Sequence, residues 1–441
     1  MMTFEVLITP PEQEEIIARW LPERGHLVSI CMLAYNHAPY IRDALNSILN
    51  QKTDFGFEVL VHDDASTDET QAIIKEFAER YPAIVKPILQ SRNQHSQGLY
   101  PSVHYNYPRA NLPFVAMCEG DDHWTDENKL QIQVEGLTAH PEINLSFHKA
   151  YWEDHDCPEK PVSIYGDYGA CESVLSFAEV IHRVRGWIPF ASCMIRQAAK
   201  RRLLSFLQQR PYLTIGEIYF QLFGSLPHGA LFFDRPMSLY RYRTTHSWTR
   251  KAGNDAHFKA RHELAMIRSY VELDELTEGT YREHFTALIL TRLLWLFNPL
   301  PPPSSLCGVA LLTPVHSACQ DVIQAMLNRL NAQPRRYVIF GCGSGCKSVL
   351  KSLSSEKVCA IVDRDNRRIG EFLHGHRIIG TSSLAEYADC DLVVSIIAAD
   401  RDSISEYARN GGIPVEGIHY IYDAALEIVD GAQIPPEITD R

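Results

Sequence analysis

The stretch LPFVAMCEGDDHW, residues 112–124, passes abruptly from an apolar run to three carboxylates, Glu119, Asp121 and Asp122. A short apolar run that stops on a polar turn reads as a buried strand. Like charges so close together repel, and each costs free energy to desolvate alone. A strand that ends this way needs a reason. Upstream, LVSICMLAYN from Leu27 and FEVLVHDDAS from Phe57 repeat the plan of an apolar strand followed by a polar loop. Between them, APYIRDALNSILNQ sets Ile41, Leu45, Ile48 and Leu49 at helical spacing, and TQAIIKEFAERYP gives another helix, stopped by Pro82. Strands alternating with helices predict an α/β fold with a mostly parallel sheet, its ligands held at the carboxyl ends of the strands.

Two acid clusters therefore face one crevice, HDDASTD (His62 to Asp68) and CEGDDHW (Cys118 to Trp124). A hard divalent cation, Mg2+ or Mn2+, takes carboxylate oxygens and leaves positions open for phosphate. Such an ion would relieve the repulsion among Glu119, Asp121 and Asp122, and a diphosphate would complete its shell. Asp63 and Asp64 are placed to accept hydrogen bonds from a base or ribose. The plainer alternative is helix capping, by Ser66, Thr67 and Asp68 before the helix at Thr70 and by Asp122 and Thr125 before the next. Capping explains one acid at each strand end and leaves the other two of CEGDDHW without a role.

Three segments in order, VSICMLAYNHAPYIRDALNSILNQ, FEVLVHDDASTDET and CEGDDHWTDENKLQIQ, resemble the family 2 glycosyltransferases, and the similarity runs from about Leu27 to Arg250. The resemblance implies a GT-A fold and inverting transfer of a sugar from a nucleotide-diphosphate donor with a divalent metal. It implies that Ala34-Tyr35-Asn36 lies by the nucleotide with Tyr35 stacking on the base, and that Asp64 reads the base. Asn93 and Gly98 correspond to a loop flanking the donor. The family's DxDD metal motif stands here as Glu119-Gly120-Asp121-Asp122, so Asp121 and Asp122 are the expected metal ligands and Glu119 a departure that still reaches metal or ribose. The general base matches Glu217 after Gly216, again a Glu where Asp is common; an ordinary helix-start glutamate is the competing reading. LYRYRTTHSWTR (Leu239 to Arg250) resembles the segment that closes over the phosphates, implying contacts from Arg241, Arg243 and His246 and packing by Trp248. Ser192 and Arg196, in a stretch resembling one near the acceptor, are read as packing first.

A second α/β unit opens at YVIFGCGSGCKSVL (Tyr337 to Leu350): strand, glycine turn, helix. Gly341 suits the tight turn, Gly343 the approach of a phosphate to the helix start, and Asp363 a ribose twenty residues on. Cys346 stands where a third glycine would fall, and Gly345 is out of phase. A Rossmann-like fold is expected, with a nucleotide as the candidate ligand. Cys342 and Cys346 read as buried thiols. The expected domains are an extension over 1–26, the GT-A unit over 27–252, a helical connector over 253–334 with a proline turn at NPLPPPSS, the Rossmann-like unit over 335–425 and a tail over 426–441.

Composition narrows the field. The 441 residues carry a formal net charge of −12, with 45% apolar and 22% charged residues, which excludes general nucleic-acid binding and supports a soluble globular protein. Eleven cysteines without a CxxC pair point to reduced thiols in a cytoplasm. FTALILTRLLWLF (Phe285 to Phe297), broken by Arg292, reads as a packed helix, with contact at the inner membrane face as the alternative. The expected partners are a sugar nucleotide, with UDP the first candidate, and a saccharide, lipid-linked or protein acceptor; a homodimer is the default assembly. Surface polysaccharide, glycolipid or glycoprotein synthesis is the expected setting. The competing reading is an inactive nucleotide-sugar-binding scaffold.

Overall fold

The computed structural model describes residues 9–157, 159, 161–213, 217–245, 248–297, 307–364, 368–397, 400–432, 434 and 438, with residues 248–250 and 307 described by backbone alone. The chain divides into two compact units, Met1–Asn254 and Asp255–Arg441.

The first unit is built on β1 (His26–Ala34), β2 (Gly56–Asp63), β3 (Val85–Leu89) and β4 (Phe114–Met117), which lie parallel in the order β3-β2-β1-β4. Their near-continuous apolar runs are what a sheet covered on both faces requires: Val28, Ile30, Met32, Val59, Val61, Val115 and Ala116 are fully buried. The helix Ile41–Leu49 covers one face through Ile41, Ala44, Leu45, Ile48 and Leu49, the three-and-four spacing of an amphipathic helix. The amino-terminal extension is part of this core, since Ile16 is buried in it and Trp20 packs against it.

A two-residue strand β5 (His123–Trp124) follows the acid loop, and β6 (Leu145–His148), β7 (Ala150–Asp154), β8 (Ser163–Tyr165), β9 (Ser173–Leu175), β10 (Met194–Arg196), β11 (Ala230–Phe233) and β12 (Ser238–Tyr242) complete the unit. The large sheet continues β4-β10-β6-β11-β9, with β10 antiparallel to both neighbours, and β5-β12-β7-β8 form a separate small sheet. β1 has its sequential neighbour β2 on one side and β4 on the other, so the crevice at the carboxyl end of β1 is a topological switch point, where open α/β sheets bind ligands.

In the second unit, helices Ala256–Leu276, Arg282–Leu296 and Cys307–Ala332 precede a sheet of β13 (Tyr337–Phe340), β14 (Val358–Asp363), β15 (Phe372–Leu373), β16 (His376–Gly380), β17 (Asp391–Val394) and β18 (Ile418–Tyr420). Its order is β15-β16-β14-β13-β17-β18, parallel throughout except for the edge strand β15. Arg292, which interrupts the apolar run, is buried and paired with Glu263 at 3.4 Å. Among the described residues no helix is long and apolar enough to cross a membrane. Two expectations change. The helices after residue 255 belong to the second unit and make no separate connector domain, and the tail begins later than residue 426. A helix over Asp423–Gly431 buries Ala425 and Val429, and Ile438 beyond it is buried too, because apolar side chains at helical spacing dock even in a polar stretch. The proline turn at 298–306 lies outside the described residues.

Candidate active site

Register places the site. Ala34 pairs with Asp63 and Cys31 with Met117, so the loops after β1, β2 and β4 open on one edge. The acid loop is hung there by backbone bonds, Cys118 N–H to Cys31 O at 3.2 Å and Gly120 N–H to Leu33 O at 2.8 Å. Gly120 is required by space: a Cβ would stand 2.8 Å from His37 Nδ1, 2.9 Å from Ile41 Cδ1 and 3.1 Å from Leu33 O.

Asp121 Oδ2 accepts the Thr244 hydroxyl at 2.9 Å and lies 3.9 Å from His37 Nε2. Asp122 is 2% exposed and its Oδ1 accepts the Arg241 N–H at 3.1 Å, tying the loop to β12. The half-buried Glu119 carboxylate has no hydrogen-bond partner among the described residues. The Arg241 guanidinium is turned to Asp43 at 3.0 Å and to the Asp121 carbonyl at 2.9 Å, so it braces the loop. Arg243 is held by the buried Asp154 and by Asp156 at 3.2 Å.

Glu217 begins the helix Glu217–Ser225, and it joins the cluster electrostatically. Burial, then the charges of Glu217, Asp121 and Asp122, push the Glu119 carboxyl well above the usual carboxylate range. Burial and the Asp121 charge do the same to Asp122, against the pull of Arg241. Glu217 is raised by burial, opposed by Arg183 and reinforced by Asp121. Four carboxylates thus crowd one partly dry site in which the nearest guanidiniums are already engaged, Arg241 with Asp43 and Arg183 with Gln221 at 3.1 Å. That is an excess of negative charge a cation would neutralise. Among the described residues no three His, Cys, Asp or Glu side chains form a ready metal cage. Mg2+ and Mn2+ need none, because one or two carboxylates with substrate phosphates suffice. Asp121 and Asp122 fit such an ion by donor chemistry, Asp121 being the more accessible.

The other predicted residues form a second group. Asp63 Oδ1 accepts the Ser66 N–H at 3.0 Å and the Gln71 amide at 2.6 Å. Asp64 accepts the backbone N–H groups of Gln94 at 2.7 Å and His95 at 3.1 Å, while the Asn93 side chain donates to the Asp64 carbonyl at 3.0 Å. Asn36 adopts φ 55° and accepts the Thr67 N–H at 2.8 Å, and Tyr35 is 37% exposed at the rim. Both Asp63 and Asp64 therefore organise the loops that line the crevice. A cleft of about 330 Å3 opens beside them, lined by Asn36, His37, Tyr40, Thr67, Asp68 and Thr244. His37, Asp43 and Thr244 are site residues that sequence reasoning missed: His37 adjoins the AYN segment and Thr244 sits inside YRYRTTH, whereas Asp43 is one more acid in a helix's first turn.

Ser192 and Arg196 are structural. The Ser192 hydroxyl donates to Pro189 O at 2.5 Å, and the Arg196 guanidinium donates to Ile143 O at 2.8 Å. Gly216 and His246, with the Trp248 side chain, lie outside the described residues. In the second unit Gly341 takes φ 93° at the turn and a Cβ on Gly343 would meet nothing within 4 Å. Gly345 does the packing expected of the third glycine, since a Cβ there would stand 2.1 Å from Ser395 O. Asp363 Oδ2 accepts the Cys342 N–H at 2.8 Å and braces the turn. Cys342 and Cys346 are buried, and burial pushes both thiols up to about 12.

A mostly parallel sheet with acids at its switch point is the arrangement of an α/β domain that takes its ligand at the carboxyl ends of its strands. Residues 29–196, within the first unit, match the family model described as glycosyl transferase family 2. An uncharacterized protein of Mycobacterium tuberculosis is 43% identical over 133 residues, 29% of this chain and 36% of that protein. The Escherichia coli UDP-Glc:alpha-D-GlcNAc-diphosphoundecaprenol beta-1,3-glucosyltransferase WfgD is 30% identical over 128 residues, 29% of this chain and 46% of that enzyme. The matched region thus spans less than half the length of these relatives. Among solved structures, Staphylococcus aureus TarS in complex with UDP-GlcNAc aligns with TM-score 0.47 and 18% identity over 69% of this chain and 83% of that one.

Proposed function

We propose that this chain is an inverting glycosyltransferase that moves a sugar from a nucleoside-diphosphate sugar to an acceptor hydroxyl in the synthesis of a surface glycan. The observation that carries the reading is the acid loop bearing Glu119, Asp121 and Asp122, hung at the switch point by the Cys118 and Gly120 backbone bonds, with the Glu217 charge acting on it. Asp121 and Asp122 would hold Mn2+ or Mg2+, which supplies neutralisation of the diphosphate as it departs. Glu217 takes the proton from the acceptor hydroxyl as oxygen attacks the anomeric carbon, and its raised affinity for protons suits a base working near neutrality. Thr244 and Arg241 fix Asp121 and Asp122 beforehand, so little reorganisation is left for the reaction. The loops braced by Asp63 and Asp64 receive the nucleoside, with Tyr35 at the rim. UDP is the first candidate, in keeping with the donor printed in the E. coli relative's name.

The test is calorimetric titration of UDP, GDP and dTDP, each with and without Mn2+. Tight binding of one nucleotide only with metal is the expected result. Metal-independent binding that survives deletion of the second unit would replace the proposal with a binding domain.

A further inference from the structure

The small sheet of the first unit presents an aromatic face that the donor site leaves unused. Register puts Tyr240 beside Trp152 and Tyr165 beside Ala150, so Trp152, Tyr165, Tyr240 and Tyr242 share one face, opposite to that of Arg241. The rings of Tyr165 and Tyr240 stack at 5.7 Å with 18° between their planes. Trp152 lies 5.4 Å from Tyr242 at 35°, and Tyr240 lies 6.3 Å from Tyr242 at 51°. All four are half-buried, neither sealed in the core nor isolated in solvent.

This face adjoins the acid loop, since Tyr240 and Tyr242 flank Arg241, the N–H of which donates to Asp122 Oδ1 at 3.1 Å. Burial raises both the Tyr165 and Tyr240 phenols, and the Glu217 charge raises each further, with Asp122 adding to Tyr240. Those hydroxyls are therefore within electrostatic reach of the base and the acid loop. Four aromatic rings gathered on one face, none of them sealed from solvent, offer a flat surface to a ligand. The chemistry of the rings selects its occupant. A pyranose ring has a C–H face edged by hydroxyls; Tyr and Trp offer a flat apolar body and a polar tip that match both. An acyl or polyprenyl tail would leave the phenols unpaired, and a peptide would add along the edge strand β8 rather than lie across this face.

We infer that the face formed by Trp152, Tyr165, Tyr240 and Tyr242 is the acceptor subsite and that it binds a saccharide ring, the hydroxyl of which is presented to Glu217. This rests on the transferase reading for the role of Glu217, whereas sugar binding by the face can be measured without donor or metal. The experiment is saturation-transfer NMR on the full chain with chitotriose, cellotriose, maltotriose and mannotriose as probes. Transfer to the ring C–H protons of at least one trisaccharide is expected. It should fall about fivefold or more in Trp152→Ala and Tyr242→Ala and persist in Trp152→Phe, which keeps a ring and reports that the fold is intact. No transfer from any of the four probes, or undiminished transfer in both alanine variants, overturns the inference. Binding of a polyprenyl phosphate or a serine-containing peptide in place of every trisaccharide also overturns it. A chain that binds a trisaccharide through Trp152 yet binds no nucleotide would refute the transferase reading alone.

Discussion

Gly120→Ala tests the seat of the acid loop with a single carbon. The added Cβ would approach His37 Nδ1, Ile41 Cδ1 and Leu33 O at 2.8, 2.9 and 3.1 Å, all below ordinary contact. Two of these atoms end side chains that can yield, but the third is a backbone oxygen that already accepts the Gly120 N–H at 2.8 Å. Overpacking of this kind costs about 1–3 kcal/mol. In a unit of this size that corresponds to a melting temperature lower by about 2 to 12 °C. The strain falls on the segment bearing Glu119, Asp121 and Asp122, so Mn2+-dependent nucleotide affinity should drop about tenfold or more, each tenfold being about 1.4 kcal/mol. The assay pairs thermal unfolding with calorimetry, using Gly431→Ala as the control because nothing lies within 4 Å of its added carbon. Were Gly120→Ala to melt and bind nucleotide like the parent chain, the close seating of the loop would be wrong.

Glu217→Gln removes the proton acceptor and keeps its volume; kcat for transfer should fall about 10²–10⁴-fold with nucleotide affinity retained, and normal turnover would place the base elsewhere. Asp122→Asn should abolish transfer and yet stabilise the fold above the carboxylate range. The sign follows from the raised affinity of Asp122 for protons in the folded state, which makes its ionised form a liability as pH rises; a lower melting temperature at neutral pH would contradict this. Asp121→Asn should reduce nucleotide binding in Mn2+ to its metal-free level, read by the same calorimetry, with unfolding shifted by no more than about 0.5 kcal/mol because an amide oxygen can still accept from Thr244. Lys129 is fully buried, lies 4.1 Å above the Trp124 ring, and burial lowers it to about 7. The unfolded chain binds this proton up to the ordinary lysine range, so the parent should gain stability relative to Lys129→Met as pH rises from about 7 to about 10, by up to roughly 4 kcal/mol. Parallel pH–stability curves for the two proteins would refute the buried, neutral lysine.

Sequence alone fixed the strands LVSICMLA, FEVLVHD and FVAM, because unbroken apolar runs ending on polar loops have few other readings, and helix periodicity between them implied the parallel order. The acid run of CEGDDHW was legible for the same reason: charge cannot lie inside a buried strand and must mark its end. The tertiary structure decided what those acids face. Glu217 lies almost a hundred positions downstream of them, and only the packing of its helix brings it into their field. Arg241, read from the sequence as a phosphate contact, lies in register with Glu153 of β7 and has its guanidinium on Asp43 and the Asp121 carbonyl. Likewise Gly345 has the wrong phase for a three-glycine motif and the right position in space, pressed against Ser395 O. Local pattern sets which residues are strand, helix and turn. Distances between residues far apart in the chain are set by how those elements pack, and the aromatic face beside Glu217, assembled from three strands, exists only at that level.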